Sequence, residues 1–264
     1  MTKQPFDAFE RRYIFCMWPG TDKISEDRIT ELYSIFSNTH CPVVFLNGES
    51  YKKWELPEHP FQPGFAYLSE THRSDYLRIY LLHHFGGGYT DIKFTYKQWD
   101  TAFETLKNSD AYGLGYALQS TNAVGMSPRH DNSPELALYK AHYSELIGHV
   151  ALICKQGTPF TSDLLSRMHL LMDEKFQLLM ENPSRDKKDS FGKVLADGSV
   201  SAYPFNYVEL GPDQFIRSTF RFKNQLLKGD IEPLHVWHFD LDVPGFREGK
   251  KQMLQAHLPS HPAA

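Results

Sequence analysis

Apolar positions switch along this chain between short continuous runs and helical spacing. Arg12-Tyr-Ile-Phe-Cys-Met-Trp18 is an apolar run closed by Pro19-Gly20, the pattern of a buried strand and its turn. From Ser25 to Phe36, Ile29, Leu32, Tyr33 and Phe36 recur at helical spacing, and Ser25 is placed to cap that helix. Cys41-Pro-Val-Val-Phe-Leu46 is a second apolar run, closed by Asn47-Gly48. Strand, helix and strand in that order predict a parallel pair joined by a crossover.

Residues 56–65 hold three prolines and a glycine and predict a loop. After it, Ser69 or Thr71 caps a helix whose apolar set is Tyr76, Leu77, Ile79, Tyr80 and Leu82. Gly86 stops that helix, because glycine enters left-handed conformations without a steric penalty. A strand over Tyr89–Phe94 follows, then strands at 111–118 and 149–154. Pro159 to Met180 reads as one amphipathic helix, and the polar stretch 181–193 as an exposed loop. Tyr203–Leu210 reads as a further strand, and Gly211-Pro212 as a helix start. The expected class is α/β, a Rossmann-like, mostly parallel sheet flanked by helices. With neither repeat nor linker, the chain predicts one domain over residues 1–245 and a loosely ordered tail over 246–264.

Composition narrows the function more by exclusion than by pointing. Net charge is −4, from 28 basic and 32 acidic residues, without a long basic run, so the electrostatic footprint of a nucleic-acid binder is missing. The three cysteines, Cys16, Cys41 and Cys154, are isolated and odd in number, which favours a reducing compartment over a disulfide framework. The opening residues lack the apolar core of a signal peptide, and no run reaches the roughly 18 apolar residues of a spanning helix. A cytoplasmic protein is expected, with any membrane contact peripheral and at the inner face.

The chemistry concentrates between Ser69 and Lys93. Asp75 and Arg78 are three apart, so a helix puts them on one face. Asp91 and Lys93 are two apart, so an extended chain points both the same way. Four polar groups therefore converge at one helix-turn-strand corner, a place where α/β proteins build ligand sites. An aspartate in the middle of Tyr-Thr-Asp-Ile is a poor strand former and needs a partner: a cation, a ribose hydroxyl or an arginine. Gly86-Gly87-Gly88 follows a helix and precedes a strand, the reverse of a dinucleotide-binding turn, so a helix stop explains it as well as a ligand contact does.

Ser74-Asp75-x-x-Arg78, followed by Gly87-Gly88 and Asp91-Ile-Lys93, resembles the signature of glycosyltransferase family 32, the sugar-binding-region group with a DXD motif. The bacterial capsular-polysaccharide type is the most similar in pattern. Tyr13–Gly20 is similar to that family's first strand, Val150–Met172 to its later strand and helix, and Leu210-Gly-Pro-Asp213 to its glycine-proline turn. The resemblance implies a GT-A fold and a retaining transfer of sugar from a nucleotide-sugar donor (UDP, GDP or dTDP type) to a glycan or glycolipid acceptor. It implies that Trp18 stacks on the donor base and that Ser74, Asp75, Arg78, Gly87 and Tyr89 hold the donor. His235 and His238 would lie over its diphosphate.

Asp91, Lys93 and Arg78 would be the catalytic set. Asp91 is the single aspartate left to bind a divalent cation, Mn or Mg, because Lys93 stands where the motif has its second aspartate. Three readings of Lys93 stay open: an ammonium neutralising the leaving diphosphate, a metal held by Asp91 alone, or loss of catalysis in a binding protein. Asn122, Arg129 and His130, in a polar loop, are the candidates for gripping the acceptor.

Overall fold

Ile14, Phe15, Cys16 and Met17 are all buried, so the first strand has apolar cover on both faces, as an inner parallel strand requires. That strand, β1 (Ile14–Trp18), lies at the heart of a computed structural model describing residues 6–20 and 22–233. The elements follow as α1 (Glu26–Asn38), β2 (Val43–Asn47), α2 (Glu70–Phe85), β3 (Gly87–Thr90), α3 (Asp100–Lys107) and β4 (Gly113–Ala117). Then come α4 (Pro134–Ala141), β5 (Ile147–Cys154), α5 (Pro159–Glu174), α6 (Phe176–Glu181), α7 (Pro212–Arg221) and β6 (Leu226–Lys228).

The six strands form one sheet in the order β2-β1-β3-β5-β4-β6. β1 pairs in parallel with both β2 and β3, and β4 with β6, while β5 runs antiparallel to β3 and β4. The expected α/β class with a mostly parallel sheet is therefore what the chain adopts. Strand alternation sends Phe15, Met17 and Tyr89 into one layer with α2 and α5. Ile14 and Ile153 join Trp99 and α3 on the opposite face, and Cys16 meets Ile35 of α1 there.

This order creates the site's location. The chain leaves β1 through α1 to β2 on one side, then returns through α2 to β3 on the other. The carboxyl ends of β1 and β3 thus flank a topological switch point, where open α/β sheets leave a crevice.

Several expected boundaries move. The strand after α2 is Gly87–Thr90, not Tyr89–Phe94, so Asp91 sits just past its end and Lys93 in irregular chain. The glycines belong inside the strand because neighbours crowd it: a Cβ on Gly88 would lie 3.0 Å from the Trp99 ring. Tyr203–Leu210 is not a strand. Its alternating burial arises from side chains, with the Tyr203 hydroxyl reaching the Ser69 amide and His72. The helix expected over 159–180 breaks at Lys175, whose Nζ reaches Pro204 O at 2.7 Å and Glu209 at 2.6 Å. The helices α3 and α4 and the edge strand β6 were not foreseen. The tail expected from residue 246 lies outside the described residues.

Candidate functional site

The site grows from the capped start and glycine-stopped end of α2. The Ser69 hydroxyl accepts from the His72 amide, and Gly86 ends the helix at φ 67° and ψ −160°, a conformation nearly restricted to glycine. In between, every residue from Asp75 to Leu82 is buried. An arginine and an aspartate are therefore carried inside, where each must find a partner.

Arg78 finds three. Its Nη2 lies 3.1 Å from Asp91 Oδ1, 3.4 Å from Asp75 Oδ1 and 3.3 Å from the Tyr89 hydroxyl, and its guanidinium sits 4.4 Å from the Tyr89 ring centre. Tyr89 Oη donates to Asp91 Oδ1 at 2.8 Å. Register explains the meeting. Tyr89 and Asp91 are two apart, so both face α2, while the intervening residue turns away. Asp75 and Arg78 are an i, i+3 pair, but a buried one rather than the solvent-exposed pair that such spacing usually makes. Asp91 is the open member: its side chain keeps 28% of its surface exposed, against 7% for Arg78 and 8% for Asp75.

The ionisation states follow from that geometry. Burial raises the Asp75 carboxyl most; Arg78 opposes this and Asp91 adds to it, leaving the group pushed up to about 7. Burial also works against Asp91, yet Arg78, Lys93 and the Tyr89 hydroxyl outweigh it and hold the carboxyl below its ordinary value. Burial drives the Tyr89 phenol upward, so it remains an O–H donor. Burial disfavours the Arg78 charge, but Tyr89, Asp91 and Asp75 more than compensate, and the guanidinium stays protonated.

Lys93 is half-buried beside this network and makes no hydrogen bond or ion pair with the described residues. It acts on Asp91 through space, as does His149 of β5, whose ring centre lies 5.7 Å from that of Phe215. Trp18 ends β1, half-buried, with its Nε1 donating to Asp22 O at 3.0 Å. Ser74 is half-buried on the same helix. Gly87 is buried, and its missing side chain is accounted for internally: a Cβ would lie 2.8 Å from Tyr13 O, and φ is +93°.

The turn before α7 closes over the corner. A Cβ on Gly211 would fall 2.3 Å from the Asp75 carboxyl carbon, so the backbone there lies directly against that side chain. Half-exposed Tyr207 adds a phenol whose surroundings include Asp75 and Asp91.

Arg129 and His130 serve this turn. Arg129 Nη1 pairs with the buried Glu209 at 2.6 Å, and its Nε donates to His130 Nε2 at 3.0 Å. His130 Nε2 also accepts from Arg217 at 3.1 Å and lies 3.5 Å from the buried Asp213. These contacts fasten the 122–131 loop to the turn, and both side chains are already engaged within the protein. Asn122 is exposed in the same loop. His235 and His238 lie outside the described residues.

Sequence spacing anticipates Asp75, Arg78, Asp91 and Lys93 but not Tyr207, Gly211 or His149, which arrive from distant segments. The Leu210-Gly-Pro-Asp213 turn carried the one available signal. Among the described residues, no group of three or more His, Cys, Asp and Glu side chains is arranged to hold a metal ion. No described helix is long and apolar enough to cross a membrane.

No protein-family profile matches the chain, and no curated protein matches it. Among solved structures, one that it resembles is described as PaToxG Glycosyltransferase, at 14% identity and a TM-score of 0.41, over 96% of this chain and 76% of that one. A likeness of that degree leaves the reading of the site to the site's own residues.

Proposed function

We propose that this chain is a glycosyltransferase of GT-A type that moves a sugar from a nucleotide-sugar donor to a carbohydrate acceptor. One observation carries the reading: a buried Asp75–Arg78–Tyr89–Asp91 network opens, through Asp91 and a Lys93 with no ion-pair partner among the described residues, at the switch point of the sheet. Fixed carboxylates beside a fixed guanidinium suit the paired donors and acceptors of sugar hydroxyls. An ammonium nearby with no partner among the described residues suits a diphosphate. Trp18, at the neighbouring strand end, supplies a flat apolar face for a nucleobase.

In the transfer, the bond between the anomeric carbon and the diphosphate oxygen breaks, and its electron pair leaves with the diphosphate. The acceptor hydroxyl oxygen bonds to the anomeric carbon, and its proton passes to the departing phosphate oxygen or to water. Asp91 and Arg78 orient the sugar, and Lys93 offsets the charge that develops on the leaving group. The reading assigns that task to Lys93 rather than to a metal ion. Asp91 Oδ1 is already taken by Tyr89 and Arg78, and a divalent cation placed at Asp91 would stand beside two positive side chains. The family resemblance adds retention of anomeric configuration and a surface or capsular polysaccharide as acceptor.

Calorimetry with UDP, GDP and dTDP in the presence of chelator tests the assignment. Binding by at least one nucleotide is expected, weakened about 10-fold or more in Lys93→Met. Strict dependence of binding on manganese would remove Lys93 from this role. Binding followed by no turnover with any acceptor would make the protein a nucleotide-sugar receptor instead.

A further inference from the structure

A second feature lies one to two helical turns from Arg78, at the start of α2. A cavity of about 300 Å³ opens between that helix and the 183–187 segment, with Tyr67, Glu70, Arg73, Ser184 and Arg185 among its walls. This is the lower end of the range for small-molecule sites and suits a single sugar ring. The cavity adjoins the mouth of β1. A Cβ on Gly20 would fall 2.2 Å from a Glu70 carboxylate oxygen, and Lys187 pairs with Asp22, whose carbonyl receives the Trp18 indole.

Two wall groups have an atom without a hydrogen-bond partner among the described residues. The Glu70 carboxylate makes no hydrogen bond or ion pair with the described residues, and burial, its main influence, raises its pKa. Arg73 bonds Ala66 O through Nη2, but its Nε–H is buried with no acceptor. The half-buried Glu70 carboxylate is the acceptor left to a ligand in this cavity, and a sugar hydroxyl is a donor that suits it; the Arg73 Nε–H is shut off from solvent and stays out of that contact. An anionic ligand fits less well. Arg185 is already engaged with Ser199 and Lys187 with Asp22, and Glu70 and Asp186 add negative charge to the wall.

We infer that this cavity is the acceptor subsite, taking a neutral, hydroxyl-rich sugar ring whose hydroxyl donates to Glu70. The inference deepens the transferase reading and rests on it. It also replaces Asn122, Arg129 and His130 as the acceptor grip. Along α2, eight residues separate Glu70 from Arg78, about 12 Å of helix rise, enough for a donor sugar beside an acceptor ring.

The test is a titration of the full chain followed by amide and indole NMR signals. One series uses methyl α- and β-glycosides of glucose, galactose, mannose and N-acetylglucosamine; the other uses UDP, GDP and dTDP. At least one glycoside is expected to shift the Tyr67, Glu70 and Arg185 amides with a Kd of about millimolar. Glu70→Gln, which keeps side-chain volume, should weaken this about 10-fold or more. Ala66→Phe, at an exposed position on the rim, should weaken it as well. Absence of any glycoside-induced shift at these amides, or equal shifts in both variants, overturns the subsite. Nucleotides report separately through the Trp18 indole. Glycoside binding here with no nucleotide response leaves a sugar-binding cavity but removes the transferase reading and, with it, the acceptor role; the reverse keeps the transferase and removes the subsite.

Discussion

Arg78 Nη2 lies 3.1 Å from Asp91 and 3.4 Å from Asp75, so a single cation serves two buried carboxyls. Asp91 has the Tyr89 hydroxyl as well and stays ionised; Asp75, with a carboxyl pushed up to about 7, is the one that gives way. A folded-state acid raised above its unfolded value binds more protons than the unfolded chain, so it lowers stability as pH rises between the two values. For Asp75 that window runs from 3.8 to about 7. Asp75→Asn should therefore flatten the fall in Tm across this window and be relatively more stable than wild type at pH 8. A parallel pH profile in both proteins would contradict the assignment. Arg78→Ala removes the shared cation and should cost about 3–5 kcal/mol in urea unfolding, because it strands buried charge. At this scale the sequence was informative wherever partners lie within a helical turn or a strand repeat. Tyr207 and Gly211 reach Asp75 through tertiary contact, which local spacing does not encode.

At the scale of elements, α2 fixes the corner because both its ends are specified. Gly86 occupies a conformation that an L-residue enters at a cost of about 1–3 kcal/mol, and a Cβ there would meet Gln156 N and Phe9 Cβ at 3.0 Å. Gly86→Ala should destabilise by at least that amount in urea unfolding and shift Asp91 relative to Arg78. A neutral result would show that the glycine is not what stops the helix. Both caps were legible in the sequence, as were β1, β2, α1 and β5 as elements, but the face of α1 was not: Ile29, Tyr33 and Phe36 are exposed, and Glu31, Ser34 and Ile35 are the residues it buries. Where the reading failed, another force mimicked or masked a period. The alternation in Tyr203–Leu210 comes from Tyr203 and its neighbours reaching across to α2 rather than from strand pairing. At β3 the glycines looked like a turn, because sequence does not show that Trp99 and Tyr13 crowd that strand.

For the whole molecule, the crossing from β2 back past β1 to β3 places Trp18 and Asp91 at neighbouring carboxyl ends of the sheet. Local pattern was enough to give the α/β class, but the strand order and the reversal of β5 needed the tertiary structure. The 206–213 turn, held by Arg129 and Lys175 on Glu209, closes the corner from outside. The chain thereby brings a flat indole, a lysine, a buried charged network and a sugar-sized cavity to one end of the sheet. The most direct measurement is release of nucleotide diphosphate from a panel of UDP-, GDP- and dTDP-sugars in chelator, with Asp91→Asn and Lys93→Met assayed alongside wild type. The account predicts release by wild type from at least one donor without metal, reduced about 100-fold or more in each variant. Wild-type protein that releases nothing from any donor, or variants that turn over as fast as wild type, would contradict it.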